Sequence, residues 1–119
     1  MFYTLPELGY GYDSLEPYID ERTMQIHHDK HHATYVKKFN EALEGHEELQ
    51  GRPIEELIKN LNSISMEIRI AIKNHGGGHL NHSFFWTILK KNTKLSGEIL
   101  NAIKKDFGSM IYFPATIVA

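Results

Sequence analysis

Cysteine is absent from the 119 residues, which removes disulfides, thiolate zinc sites and thiol catalysis in one step and fits a reducing compartment. Soft-ligand metal chemistry in this chain must therefore run through histidine. A dominant charge is lacking too: thirteen basic against fifteen acidic side chains leave a net charge of -2. That field is too weak to argue for nucleic acid or an anionic membrane as partner. The opening stretch "MFYTLPELGYGYDSLEPY" has no basic segment followed by an apolar run. It reads as neither signal peptide nor membrane anchor, and the cytoplasm is the expected location. With 41% hydrophobic and 24% charged residues, and no internal repeat, one compact domain is the expectation.

Histidine is what the chain has in excess. Eight are present, and four of them fall within six positions of "MQIHHDKHHATY", Met24 to Tyr35. Asp20 is a plausible N-cap ahead of this stretch. From there Met24, His27 or His28, His31, Tyr35, Phe39 and Ala42 recur at helical spacing. Lys30, Lys37, Asn40, Glu41 and Glu44 fall on the opposite face, and Gly45 ends the helix. His31 comes out near the middle of the apolar stripe.

Pro53 can open a second helical region at its first turn. Leu57, Leu61, Ile64, Ile68, Ala71 or Ile72, His75, His79, His82, Trp86 and Leu89 then trace one long stripe. Two features argue against an unbroken helix. "ISMEIRIAIK" partly alternates like a strand, and Gly76, Gly77 and Gly78 each cost a helix about 1 kcal/mol relative to Ala. Periodicity alone predicts a break at the glycines. A third, short amphipathic helix starts after Ser96 and carries Ile99, Leu100, Ile103 and Phe107 up to Gly108. The tail "MIYFPATIVA" is apolar and β-prone, with Pro114 interrupting it.

Residues four apart share a helix face, so His27 with His31 and His28 with His32 are two stacked pairs, either able to hold a metal. His82 sits centrally in the second stripe, one turn before Trp86. If the two stripes pack as an antiparallel hairpin, imidazoles from both face one another across a buried seam. Taken singly, each histidine reads more simply as a hydrogen-bonded core residue or a solvated one. Taken together they need partners, because an unsatisfied buried polar group costs about 1–3 kcal/mol. A metal ion, with hydrogen bonds on the remaining nitrogens, meets that need. The Glu-x-x-His motif of di-iron carboxylate bundles is missing, only Asp29 with His32 approximating it, and no His-Glu-x-x-His of a zincin occurs.

With "MQIHHDKHHATYV" and "NHGGGHLNHSFFW" both in view, the chain resembles the N-terminal half of the iron/manganese superoxide dismutases, from "LPELGYGYDSLEPYI" through "GEILNAIKKDFGS". The resemblance implies a mainly α fold: a long antiparallel α-helical hairpin over residues 1–92, then the short third helix. It implies a chain truncated before the family's C-terminal α/β domain, of which residues 93–119 are the remnant start. From about residue 110 the tail is off-pattern.

The resemblance also implies that residues 57 to 89 are mostly one helix passing through the glycines. His27 and His82 correspond to metal ligands, and His31 and Tyr35 to residues at the substrate channel, Tyr35 taking part in the relay that delivers protons. Lys30 matches a basic residue at the channel mouth, and Trp86 an aromatic wall. Gly78 matches the glycine of manganese-type members, where iron-type members carry glutamine. The implied cofactor is Mn, with Fe possible, and the implied reaction converts superoxide to dioxygen and hydrogen peroxide. Full-length members are expected to be homodimers or tetramers. The family's other two ligands, an aspartate and a histidine, have no counterpart in the chain, which is therefore expected to be inactive alone. A non-catalytic helical remnant that dimerises or binds metal weakly is the competing expectation.

Overall fold

The computed structural model describes residues 2–109. Helix α1, residues 21–42, begins where the Asp20 carboxylate accepts the Thr23 backbone N–H at 2.6 Å, with Glu21 in its first turn as the helix dipole favours. It runs as Glu21–Ile26, then a widened π stretch His27–His32, then Ala33–Ala42, with helical dihedrals across both joints. Gly45 turns the chain away at φ +78°, a left-handed value glycine takes without a Cβ penalty.

Pro53 stands at the cap of α2, Ile54–Lys59, one residue before the first turn. A 3-10 turn, Leu61–Ser63, follows it. Helix α3, residues 66–88, is built from Met66–Ala71, a second π stretch Ile72–Gly76, and Gly77–Ile88. Helix α4, Gly97–Phe107, follows Ser96, whose position is that of a cap although its side chain makes no capping bond. It ends at Gly108 with φ +76°. The described residues contain no strand, and none of their helices is long and apolar enough to cross a membrane. The tail from Met110 lies outside the described residues.

Two expectations about the second stripe are corrected. The helix does not break at the glycines: Gly76 and Gly77 have φ -65° and -61°. Close packing requires glycine at two of the three positions, since a Cβ on Gly76 would stand 2.9 Å from the Phe39 ring and one on Gly78 would run into Tyr35. Nor is the helix continuous from Leu57. Ile64 and Ser65 are extended, with ψ 142° and 135°, and separate α2 from α3. "NLNSIS" supplies the reason, because Asn and Ser side chains compete with helical bonding: Asn60 Nδ2 donates to Glu56 O at 2.9 Å and Ser63 Oγ to Asn60 O at 2.7 Å. Arg69 then folds its guanidinium back onto Ile64 O at 2.8 Å. Leu57, Ile64 and Ile72 still share one core, which is why the stripe reads as unbroken.

Helices α1 and α3 are antiparallel, since partners fall in number along one as they rise along the other: His27 meets His82, His32 meets His79, Tyr35 meets His75, and Phe39 meets Gly76. Two apolar cores bracket the pair. Phe39, Leu43, Leu49, Leu57, Ile64 and Ile72 form one, and Leu15, Met24 and Trp86 the other. The buried histidines His28, His32 and His79 occupy the layer between. The extended lead-in is tied down by Asn40, expected on the solvent face but half-buried, whose amide bridges Tyr3 N at 3.1 Å and Tyr3 O at 2.8 Å.

Candidate metal centre

The π stretch changes which histidines face inward. In a regular helix the stripe returns every 3.6 residues, whereas a π turn holds more. The buried residues of α1 are Met24, His28, His32 and Val36, each four apart, then Phe39. This corrects the reading of His31 as mid-stripe: it is exposed, while His28 and His32 are buried.

Burial engages His28 and His32 fully. His28 Nδ1 lies 2.6 Å from the Asp29 carboxylate, and its Nε2 lies 2.7 Å from the Pro6 carbonyl. The Tyr12 hydroxyl also donates to Asp29 at 2.6 Å. These hydrogen bonds, Tyr12's first and then His28's, hold the Asp29 carboxyl below its usual range. His32, 0% exposed, accepts the Trp86 indole N–H on Nδ1 at 3.0 Å and has Nε2 2.8 Å from His79 Nδ1. Desolvation and then the neighbouring His79, His82 and His28 push His32 down to about 3, and burial lowers His79 as well. Neither ring of the His28 and His32 pair keeps a free nitrogen.

His27 and His82 are arranged differently. Their Nε2 atoms stand 2.9 Å apart across the hairpin, with the rings nearly perpendicular at 87° and centroids 4.9 Å apart. His82 Nδ1–H donates to the Gly78 carbonyl, one turn back, at 2.7 Å. That bond fixes the tautomer and leaves the Nε2 lone pair pointing at His27. Burial, followed by repulsion from His82 and His31, depresses the His27 basicity. Trp86, 2% exposed, stands edge-on to His27 with centroids 4.8 Å apart.

His31 and Tyr35 sit at the side of this pair. The His31 ring lies 5.8 Å from that of His27 and the Tyr35 ring 5.1 Å from that of His82. Both line an open cavity of about 650 Å³ with Thr34, Lys38, Asn74, His75 and His82. Lys30, the expected basic residue at the channel mouth, is exposed and outside this lining, and Lys38 is the lysine that reaches it. His75 was marked only as a member of the second stripe, and Asn74 and Lys38 not at all, because facing across the cavity is a property of the two helices together. His75 Nδ1 is buried without a hydrogen-bond partner among the described residues. No group of three or more His, Asp or Glu side chains among the described residues is arranged to hold a metal.

Comparison with known proteins converges on the same elements. Residues 2–90 match the α-hairpin domain of the iron/manganese superoxide dismutases. The chain is 51% identical over 111 residues to a protein named superoxide dismutase [Mn] from Listeria innocua serovar 6a. That alignment covers 92% of this chain and 55% of the relative, so the chain spans about half the relative's length. The chain therefore belongs to the iron/manganese superoxide dismutase family, of which it carries the α-hairpin domain.

Proposed function

We propose that this chain supplies the hairpin half of a manganese-type superoxide dismutase centre, with His27 and His82 as its two metal ligands. The observation carrying this reading is the 2.9 Å separation of their Nε2 atoms. Two imidazole nitrogens that would share one ion, each about 2.1 Å from it, must lie within about 4 Å of each other. The pair thus fits one ion with little rearrangement, and the Gly78 carbonyl already orients the His82 lone pair. Manganese is favoured over iron because Gly78 leaves room only for the Tyr35 ring, where iron-type members carry a glutamine.

When bound, manganese or iron supplies the one-electron chemistry that dismutes superoxide to dioxygen and hydrogen peroxide. The chain's own residues do the rest. Trp86 closes one wall of the His27 pocket against water, and Tyr35 places a phenol beside His82 where a proton can be held for the product. His31 and Lys38 put basic groups on the open cavity, a local field that a net charge of -2 does not supply globally.

Two imidazoles are an incomplete donor set, and residues 110–119 contain no histidine, aspartate, glutamate or cysteine. An ion held by these two residues alone would be bound weakly, with its potential left unfixed by the chain. The chain alone therefore has little dismutase activity, and activity belongs to an assembly in which another polypeptide segment covers the cavity. The cytoplasm and a homodimer are the proposed setting. The purified chain, loaded with Mn(II) and assayed against free Mn(II), tests this: turnover no greater than the free ion is expected. Chelator-resistant dismutation by the homogeneous chain would show that other residues complete the site, and no metal uptake at all would favour a non-catalytic helical remnant.

A further inference from the structure

We propose that His32 is a positioning residue of this centre, holding the Trp86 ring against His27 through a directed N–H···N chain from Trp86 to His32 to His79. The inference rests on the metal-site reading for its purpose, but the chain itself is read from geometry. An indole nitrogen can only donate. His32 Nδ1, 3.0 Å from Trp86 Nε1, is therefore an acceptor, and the neutral ring carries its proton on Nε2. That nitrogen lies 2.8 Å from His79 Nδ1 and donates to it. His79 in turn keeps its proton on Nε2, and Ser83 Oγ lies 3.3 Å from the His79 Nδ1 that His32 occupies. One indole thus sets two histidine tautomers in succession.

The network links the two helices within the buried layer, and its Trp86 end faces the ligand pair. Trp86 stands edge-on to His27 with centroids 4.8 Å apart and lies 6.1 Å from His82. Its backbone carbonyl accepts the Tyr10 hydroxyl at 2.7 Å, a tie additional to the helix that carries it. Without an acceptor on His32 the indole N–H is buried and unpaired, and turning the ring to satisfy it removes the wall from His27. Sequence spacing gave His32 no such role, because it marked the residue only as a possible ligand partner of His28.

The test uses the full 119-residue chain, uniformly 15N-labelled, first without metal and then titrated with Mn(II). Trp86 is the sole tryptophan, so its indole resonance is unambiguous. Through-bond 15N–15N couplings are expected between Trp86 Nε1 and His32 Nδ1, and between His32 Nε2 and His79 Nδ1. His32→Leu should shift the indole and His27 ring resonances and lower Mn(II) affinity by about 10–100-fold. His32→Asn, whose amide oxygen can accept the indole N–H, should return both toward wild type. Absence of the Trp86–His32 coupling in the wild-type chain overturns the proposal even if His32→Leu does not fold, and so does wild-type Mn(II) affinity in folded His32→Leu. A wild-type chain that shows both couplings yet takes up no Mn(II) overturns the metal reading instead, and with it the positioning role.

Discussion

His82 Nε2 faces His27 Nε2 at 2.9 Å because His82 has already committed its other nitrogen, Nδ1, to the Gly78 carbonyl at 2.7 Å. His28, one residue from His27, has both nitrogens engaged by Asp29 and Pro6. The same residue type at adjacent positions thus takes two roles, a proposed ligand at His27 and, at His28, a tie to Pro6, set by what each ring meets.

Substitutions at these two positions should separate accordingly. His82→Ala is expected to abolish the rise in melting temperature produced by Mn(II), an effect worth about 2.7 kcal/mol at a hundredfold excess over Kd in a protein that binds. His28→Ala should lower the metal-free melting temperature, at about 1–3 kcal/mol for the groups left unpaired, while keeping the Mn(II)-dependent rise. If the two variants exchange these behaviours, the ligand assignment is wrong.

Acid should weaken the metal-free chain before its carboxylates titrate. His27, His32 and His79 are all depressed below the ordinary value of 6.5, His32 to about 3. The unfolded chain therefore binds protons that the folded chain refuses. The stabilisation is fully present above pH 6.5 and is lost as pH falls toward the folded values, by up to about 1.4 kcal/mol per pH unit for each histidine. Urea midpoints should hold between pH 7.5 and about 6.5 and fall from there to pH 5, and a flat profile over the whole range would contradict neutral His27, His32 and His79 in the folded chain.

Gly77 and Gly78, though adjacent, should respond with opposite signs. Gly77 is helical at φ -61° and has open space where a Cβ would go, so Gly77→Ala should stabilise by about 0.5–1 kcal/mol. A Cβ on Gly78 would strike the Tyr35 ring, and Gly78→Ala should destabilise by about 1–3 kcal/mol. Chemical denaturation of the two variants measures both, and equal shifts would show that Tyr35 is not packed on Gly78.

Local signals in the chain were legible where a single residue dictates backbone geometry. Asp20, Gly45 and Gly108 mark boundaries the structure keeps, because caps and left-handed turns are decided within a few residues. The two histidine-bearing helices were legible as stripes. Which histidine faces which was not, since the π stretches His27–His32 and Ile72–Gly76 shift the phase that a 3.6-residue wheel assumes. The break at Ile64 and Ser65 was hidden because Leu57, Ile64 and Ile72 fill one core despite belonging to separate segments. Lys38 and Asn74, and the place of His75 opposite them, became visible only when α1 and α3 were brought face to face around the cavity.

The most direct test of the His27–His82 pair is paramagnetic broadening of histidine ring signals. Sub-stoichiometric Mn(II) added to the 15N-histidine-labelled chain should erase the His27 and His82 ring resonances first and together, with His46 unaffected. Broadening that begins at any other of the eight histidines, or that spreads evenly over all of them, would contradict the assignment of the metal site to His27 and His82.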